Sequence, residues 1–295
     1  MDIKALRCFS NVARYSSFTR AAEQLHLAQP AVSMTIKRLE QQLGLTLFHR
    51  KERKISLTDE GHRLRLHADK ILQAVNDAEL EMQELTGLTN GEVRVGIPSM
   101  LGSYYFPPLL MGFRHRYPGL RLSVVEGGTA RIQELLEQGE LDIGIIVDEL
   151  KPESLEGKIF LQEQMLVCVP QDHPLAQKQS ISYQEFFAEE LVLFKEGFFH
   201  RQVTEQIAKK LQLIPKISFE TNLIPLIQAI VRQGFGISAL LNRAIEDAGD
   251  LIGIPFTEPV MLDLCIAWRK GSYLSKANSA FVDYLLEHSA TAAQR

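Results

Sequence analysis

The run from Phe18 to Arg50 constrains this chain more than any other stretch, because its pattern predicts two helices joined by a short turn. Thr19 is placed to cap the first helix, which extends to about Leu25. Ala21 and Ala22 have small side chains, so a second helix can cross the first one closely. The pattern predicts a helix-turn-helix, and the alternative is an ordinary helical hairpin with a solvated polar face.

The second helix of this pair begins near Pro30, because a proline in the first helical turn breaks no hydrogen bond. Its apolar residues are spaced by four, three and four positions, which predicts one buried stripe of Val32, Ile36, Leu39 and Leu43. The opposite face carries amide, hydroxyl and cationic groups on a rigid rod, which suits base edges and phosphates. From this helix we predict DNA contacts by Gln29, Pro30, Ser33, Met34, Lys37 and Arg38.

A basic cluster follows the second helix and separates two short runs with β propensity. A basic hairpin beside a helix-turn-helix is a wing, which contacts the DNA backbone or enters the minor groove. We predict that Arg50, Arg53 and Lys54 contact DNA from this wing. The charge distribution supports this interpretation, because residues 1–65 carry a balance of +6 within a chain whose net charge is −4.

Residues 1 to about 58 resemble the winged helix-turn-helix of LysR-type transcriptional regulators. The resemblance rests on many residues in a fixed register, including Ala21-Ala22, Leu25, Gln29-Pro30-Ala31-Val32-Ser33, Leu39-Glu40, Leu43-Gly44 and Leu47-Phe48. Ala28 departs from the family pattern, since many members carry Ser or Thr there, and we assign it no role. The resemblance implies a regulator that binds an interrupted dyad promoter site as a homotetramer, a dimer of dimers, with RNA polymerase as a candidate partner.

A long helix is predicted from Asp59 to about Leu88, with Thr58 as its cap. Its apolar residues follow the alternating four-and-three spacing of a coiled coil: Leu64, Ala68, Ile71, Val75, Ala78, Met82 and Leu85. A helix of about 29 residues spans about 43 Å, which is too long for the small N-terminal domain to cover. We predict a dimer seam, which the resemblance supports, and the alternative is packing on the chain's own regulatory domain.

Beyond the break at Gly87 to Gly91, strands and helices alternate, which indicates parallel α/β structure. Two such lobes joined by two crossover strands resemble the effector-binding half of the same family and, in fold, periplasmic solute-binding proteins. We therefore predict an α/β chain with an α-rich N-terminal domain and two Rossmann-like lobes. The expected boundaries are 1–58 for the winged helix-turn-helix, 59–89 for the linker helix and 90–295 for the effector domain, with lobe 1 at about 91–163 and 268–295 and lobe 2 at about 164–267.

A ligand site is expected between the lobes, where strands end and helices begin. Ser99 and Thr129 each follow a predicted strand, so hydroxyl and free N–H groups there suit a carboxylate or another anion. The alternative for each residue is a plain helix cap or a core position. The predicted effector-binding residues are Ser99, Met100, Leu101 and Thr129 from the first lobe and Phe194, Phe199, His200 and Thr221 from the second.

Motifs of common enzymes do not occur in the sequence, which has no GxSxG, no HExxH and no phosphate loop. Gly234 to Ala239 matches GxGxxA, but it follows a helix and opens a strand, so we interpret its glycines as a helix C-cap and a tight turn. The eight histidines are scattered and make no ligand set. We therefore predict no enzymatic activity, no metal and no cofactor, and expect only a small-molecule effector.

The remaining predictions concern the compartment and the thiols. No run of about 18 apolar residues and no signal peptide occurs, so we expect a cytoplasmic protein without a membrane partner. Cys8, Cys168 and Cys265 are widely spaced in apolar contexts, which favours buried, reduced thiols. The alternative function is a solute-binding protein or small-molecule enzyme with an incidental basic head, which the charge split and the missing secretion signal disfavour.

Overall fold

The computed structural model of the 295-residue chain describes residues 1–51, 54–85, 91–246 and 248–292. The chain divides into two units, Met1–Thr86 and Gly87–Arg295. Each unit has a hydrophobic core of its own, centred on residues such as Phe9 in the first and Ile145 in the second.

The N-terminal unit is a helix-turn-helix followed by a hairpin and a long helix. Its second helix is capped by Ser17, whose hydroxyl oxygen accepts a hydrogen bond from the Arg20 N–H at 3.3 Å. The prediction of Thr19 as the cap was wrong, because the helix begins at Phe18. The elements are α1 (Ile3–Tyr15), α2 (Phe18–Gln24), α3 (Gln29–Leu43), β1 (Phe48–Lys51), β2 (Lys54–Leu57) and α4 (Asp59–Leu85).

The buried stripe of α3 is shorter than its spacing predicts. Val32, Ile36 and Leu39 are buried, but Leu43 is 36% exposed. The prediction for Leu43 was wrong because α3 ends there, and Gly44, with a φ of 66°, turns the chain away. The Glu40 carboxylate then receives the Leu47 N–H at 2.8 Å, which fixes the start of the hairpin against α3.

The seam predicted along α4 divides into two parts. Thr58 caps the helix as predicted, since its hydroxyl oxygen accepts from the Gly61 N–H at 3.0 Å. Ala68 is fully buried in the core of the N-terminal unit, and Leu64 and Ile71 pack against that core. Farther along, Ala78 and Met82 are exposed. The predicted end near Leu88 lies outside the described residues.

The C-terminal unit is an α/β domain, which confirms the predicted fold class. A six-stranded mixed sheet has the order β4-β3-β5-β10-β6-β9, and β7 pairs with β8 in a separate two-stranded sheet. The elements are β3 (Glu92–Pro98), α5 (Ser99–Tyr104), α6 (Phe106–Arg116), β4 (Arg121–Gly127), α7 (Thr129–Glu137), β5 (Ile143–Val147), β6 (Leu155–Pro170), α8 (Tyr183–Ala188), β7 (Glu190–Leu193), α9 (Phe199–Leu211), β8 (Lys216–Glu220), α10 (Ile224–Arg232), β9 (Ser238–Leu241), α11 (Asn242–Glu246), β10 (Leu251–Arg269) and α12 (Lys276–Ala292).

The two long strands β6 and β10 run antiparallel along the whole unit. Their register shifts between Pro255 and Val260, which pair with neighbouring residues of β6. On one side of the shift β10 also pairs with β5, and on the other side β6 pairs with β9.

We call the part around β3, β4 and β5 lobe 1 and the part around β7, β8 and β9 lobe 2. None of the helices that the structure describes combines the length and the apolar composition that a membrane span requires.

Candidate DNA-reading helix and interlobe site

Helix α3 presents a polar face because its apolar stripe is held in the core. The predicted DNA-contacting residues of this helix are accessible: Gln29, Pro30, Met34, Lys37 and Arg38 are exposed, and Ser33 is half-buried. No side chain caps the N-terminus of α3, because its N-cap residue is Ala28. This face offers amide, hydroxyl and cationic groups at successive turns of one helix, which is the arrangement that reads base edges and phosphates.

The predicted wing is an antiparallel hairpin. Phe48 of β1 pairs with Leu57 of β2, and Lys51 pairs with Lys54 at the turn. The hairpin is anchored by the Phe48 ring, whose centroid lies 5.3 Å from that of Phe9. The backbones of Arg50 and Lys54 belong to these strands, but their side chains, and the whole of Arg53, lie outside the described residues.

On lobe 1, two helices begin at one edge of the sheet. Strands β3 and β4 are parallel neighbours, and Pro98 at the end of β3 pairs with Gly127 at the end of β4. Helix α5 begins directly after β3 at Ser99, and α7 begins just after β4 at Thr129. The two predicted hydroxyl residues therefore lie at the same edge, and both are buried.

Neither hydroxyl acts as a side-chain cap of its helix. The N-cap residues are Pro98 for α5 and Gly128 for α7, without a side-chain hydrogen bond at either position. Thr129 is only 1% exposed, and its Oγ1 has no hydrogen-bond partner among the described residues. The plain-cap interpretation therefore does not account for Thr129.

On lobe 2, the predicted aromatic residues surround His200. The His200 ring stacks on Phe194, with centroids 4.2 Å apart, and on Phe199, with centroids 3.8 Å apart. Its Nε2 lies 3.3 Å from the Sδ of Met100, which belongs to lobe 1. Burial lowers the pKa of His200 to about 3, because the charged ring would lose its hydration. His200 is therefore neutral at physiological pH.

The backbones of the two lobes meet beside Thr129. The Ala130 N–H donates to the Gly197 carbonyl oxygen at 3.1 Å. A Cβ atom on Gly128 would lie 2.4 Å from the same oxygen, so only glycine permits this approach. The sequence patterns did not predict this contact, although two glycines that follow a strand are a signal for close backbone approach.

Two further contacts join the lobes and were also not predicted. The Gln228 side-chain amide donates to the Ala244 carbonyl at 2.7 Å and lies 3.3 Å from the Tyr104 hydroxyl. The Arg243 guanidinium lies 5.2 Å from the centre of the Tyr105 ring and donates to Glu163 Oε1 at 2.9 Å. A glutamine within the apolar run of α10 was the available signal for the first contact.

Two of the predicted effector residues have other roles in this structure. Leu101 is buried in the core, and its carbonyl accepts from the Tyr105 N–H at 2.9 Å. The Thr221 hydroxyl accepts from the Leu223 N–H at 3.2 Å, which forms a local turn before α10. The structure therefore brings Met100, Phe194, Phe199 and His200 into one cluster and holds Thr221 in its own turn.

The charge of Arg201, the residue directly after His200, is already balanced by two carboxylates. Its Nε donates to Glu205 Oε1 at 2.6 Å, and its Nη1 contacts Glu220 and donates to the Phe194 carbonyl at 3.2 Å. Burial by itself would lower the pKa of Arg201, but the hydrogen bonds to Glu205 and Glu220 together outweigh it, and the pKa is raised. Arg201 therefore supports the aromatic cluster and is not a free cation.

The cysteines and the metal-ligand residue types do not form a reactive site in the described part of the chain. Cys8, Cys168 and Cys265 are buried free thiols. Burial raises the pKa of both Cys168 and Cys265 to about 12, so neither forms a thiolate readily. Within the described ranges, no three His, Cys, Asp or Glu residues are grouped so that they could hold a metal ion.

Both units of the chain match families of known proteins. Residues 3–62 match the family "Bacterial regulatory helix-turn-helix protein, lysR family", and residues 86–290 match the "LysR substrate binding domain". The chain is 35% identical to the "Uncharacterized HTH-type transcriptional regulator YwbI" of Bacillus subtilis, covering 96% of this chain and 95% of the relative. It is 28% identical to the "RuBisCO operon transcriptional regulator" of Allochromatium vinosum, covering 98% and 97%.

A solved structure resembles the whole chain. It is that of a full-length OxyR variant from Pseudomonas aeruginosa, with a TM-score of 0.74, 27% sequence identity, and coverage of 97% of this chain and 94% of that one. A winged helix-turn-helix joined to an α/β substrate-binding domain defines a DNA-binding transcriptional regulator rather than an enzyme. The chain belongs to the LysR family of such regulators.

Proposed function

We propose that this regulator binds an interrupted dyad promoter site as a homo-oligomer in the cytoplasm, and alters transcription when a small anionic effector occupies the interlobe site. The observation that carries the effector proposal is the buried Thr129 hydroxyl at the start of α7, which lies beside the contact between the lobes and has no hydrogen-bond partner in the described part of the chain. Contact with RNA polymerase belongs to the same proposal and rests on the family alone.

The anionic character of the effector is inferred from helix α7. Its N-terminus is the positive end of a nine-residue helix dipole, where negative charge is stabilised. Thr129 supplies a hydroxyl donor at the first helical position. Arg201 is occupied by two carboxylates, so the helix end and the hydroxyl, rather than this arginine, would attract the anion.

Effector binding between lobes provides a route to regulation. A ligand that contacts both lobes favours the lobe arrangement with which it interacts more strongly, because only a differential interaction shifts a population. DNA half-sites have a fixed helical spacing. If a change in lobe arrangement alters the separation of the DNA-binding domains in the oligomer, it selects which half-sites the regulator engages and how far the DNA bends. The proposed effector therefore changes the footprint on DNA more than the affinity.

The DNA-binding part of the proposal is tested by a mobility-shift assay at two salt concentrations. Binding through several phosphates weakens steeply as salt rises. Ser33→Ala or Gln29→Ala should relax specificity at one base position by about 1–3 kcal/mol. Arg53→Ala should weaken binding to specific and random DNA together if the wing contacts the phosphate backbone, because such contacts carry no sequence information. The control is Gln42→Ala, on the same helix but outside the predicted contact set, which should change neither the specific nor the random DNA affinity.

Equal losses of affinity for specific and random DNA in every variant would contradict the assignment of α3.

The effector part is tested with Ser99→Ala and Thr129→Val in the full chain. Both should weaken effector binding and leave effector-free DNA binding intact. A thermal-shift screen of small acids identifies a ligand, because a ligand specific to the folded state raises its stability. An unchanged effector response in the Ser99 and Thr129 double alanine variant would refute the site.

A further inference from the structure

The two segments that meet between the lobes each carry a buried polar atom without a hydrogen-bond partner among the described residues. They are Thr129 Oγ1 on lobe 1 and His200 Nδ1 on lobe 2. Both residues are at least nine-tenths buried. They flank the contact between Ala130 and Gly197, which brings their two segments together at 3.1 Å. Buried polar atoms in native proteins are nearly always paired, so two unpaired ones at one contact indicate a ligand position.

The chemistry of the histidine atom follows from its neighbours. A thioether sulfur carries no proton and can only accept a hydrogen bond. Because Met100 Sδ lies 3.3 Å from His200 Nε2, the ring proton belongs on Nε2. Nδ1 then carries a lone pair and is an acceptor only. Stacking on Phe194 and Phe199 holds the ring in this orientation.

We propose that the effector is a small acid that also carries an O–H or N–H donor, which it donates to His200 Nδ1 while Thr129 Oγ1 binds an oxygen of the same molecule. This proposal rests on the proposed function and names the chemical class of its effector. A plain carboxylate or a sulfate is acceptor-only at neutral pH, so it would place a lone pair against the lone pair of Nδ1. A site built to pair with a donor rejects analogues that lack one, because its own polar atom stays unpaired.

Binding of matched acids to the full-length protein tests the proposal directly. The probes are two sets, one of 3-hydroxybenzoate, 3-aminobenzoate, 3-methoxybenzoate and benzoate, and one of 3-hydroxybutyrate, 3-aminobutyrate, 3-methoxybutyrate and butyrate. Within the set that fits, the hydroxylated or aminated acid should bind about 10- to 100-fold more tightly than its methoxylated and unsubstituted counterparts, as one lost hydrogen bond to a buried acceptor implies. Calorimetry and the rise in Tm are the measurements.

Variants of His200 assign the selectivity to one atom. His200→Phe keeps an aromatic ring between Phe194 and Phe199 and removes the acceptor, so it should abolish the preference for the donor-bearing acid. His200→Asn keeps an acceptor oxygen near the position of Nδ1 and should restore part of the preference. Thr204→Val is the matched control, because Thr204 is similarly buried one turn along α9 and its hydroxyl donates to the His200 carbonyl oxygen at 2.8 Å. It should leave the preference unchanged.

A measurement on the wild-type protein does not depend on whether the variants fold. Histidine-labelled protein reports by NMR which ring nitrogen of His200 carries the proton, and a proton on Nδ1 would overturn the proposal. Equal binding of donor-bearing and donor-free acids, or no binding of any donor-bearing acid, would also overturn it. These failures are distinct from failure of the proposed function. Equal binding that is lost in Thr129→Val leaves the anion site standing, and DNA binding is measured independently.

Discussion

His200 links the stability of the C-terminal unit to pH. Its pKa is about 3 in the folded chain, below the ordinary value of 6.5, because burial penalises the charged ring. The unfolded chain therefore binds more protons between these values, and stability falls as the pH falls through this window. Between pH 6.5 and 5 we expect the wild-type protein to lose about 2 kcal/mol more than His200→Phe, at about 1.4 kcal/mol per pH unit.

Urea unfolding followed by Trp268 fluorescence measures this difference. Trp268 is the single tryptophan of the chain and lies in β10, so its signal reports the C-terminal unit. Glu185 and Asp250 do not interfere, because their pKa values are lowered and their contribution is lost only at more acid pH. Parallel pH profiles of the two proteins would show that His200 is accessible to water in the folded state.

The sequence predicted the residues at strand ends better than it predicted hydrogen-bond partners in opposite lobes. Thr129 and His200 were singled out because each lies where a predicted strand has ended and a helix begins, which is a local rule. The bond between Tyr104 and Gln228 joins residues 124 positions apart, and neither has a neighbour in sequence that indicates the other. The prediction for Leu43 was wrong because apolar spacing does not show where the chain turns away from the core.

We expect alanine substitutions at two apolar positions of helix α3 to lower the stability of the N-terminal unit by very different amounts. Ile36 is fully buried, so Ile36→Ala should destabilise the N-terminal unit by about 2–5 kcal/mol. Leu43 is 36% exposed, so Leu43→Ala should cost less than about 1 kcal/mol. Hydrogen exchange of the α1 and α2 amides measures both values in the intact chain. Similar losses for the two variants would mean that Leu43 is buried in solution by another surface.

Helix α4 shows why one apolar spacing has two interpretations. Ala68 and Met82 occupy equivalent positions in the apolar repeat of the predicted seam. Ala68 is nevertheless buried in the core of its own unit, whereas Met82 is 54% exposed. We expect Met82→Asp with Ala78→Asp to lower the oligomeric mass without unfolding the N-terminal unit, because a charge in an apolar seam carries a large desolvation cost. Light scattering gives the mass. An unchanged mass would remove this half of α4 from the oligomer contact.

On the scale of the whole C-terminal unit, the ion pair between Glu163 and Arg243 joins β6 to α11. The Glu163 side chain is 9% exposed and that of Arg243 is 42% exposed. Arg243→Met should therefore cost about 1–3 kcal/mol, less than a fully buried pair, by leaving Glu163 without its partner. Glu163→Leu with Arg243→Met should recover part of the loss in the Trp268 unfolding assay. Additive losses would show that the two side chains do not act as a pair.

Most of the order of strands and helices in this unit was predictable, but the short helix α11, the division between α5 and α6, and the lengths of β6 and β10 were not. Their C-terminal parts were recognised as separate short strands, MLVCVP and MLDLCIAWR. The first part of β6, LEGKIFLQEQ, mixes apolar with charged and polar residues, and the first part of β10, LIGIPFTEPV, contains two prolines, which disfavour a buried strand. The register shift at Pro255 to Val260 comes from pairing between residues about 90 positions apart, which no local pattern encodes.

This long ladder also has a consequence for biosynthesis. Lobe 1 contains β3, β4 and β5 but needs the last part of β10, whose residues Leu264 to Ala267 pair with β5. All of lobe 2 lies between these segments in the chain. During translation the β5 edge therefore emerges early and waits, unpaired, until the ribosome has made the entire second lobe. An unpaired apolar strand edge is prone to aggregation, so a nascent chain of this fold depends on lobe 2 folding promptly or on a chaperone covering β5.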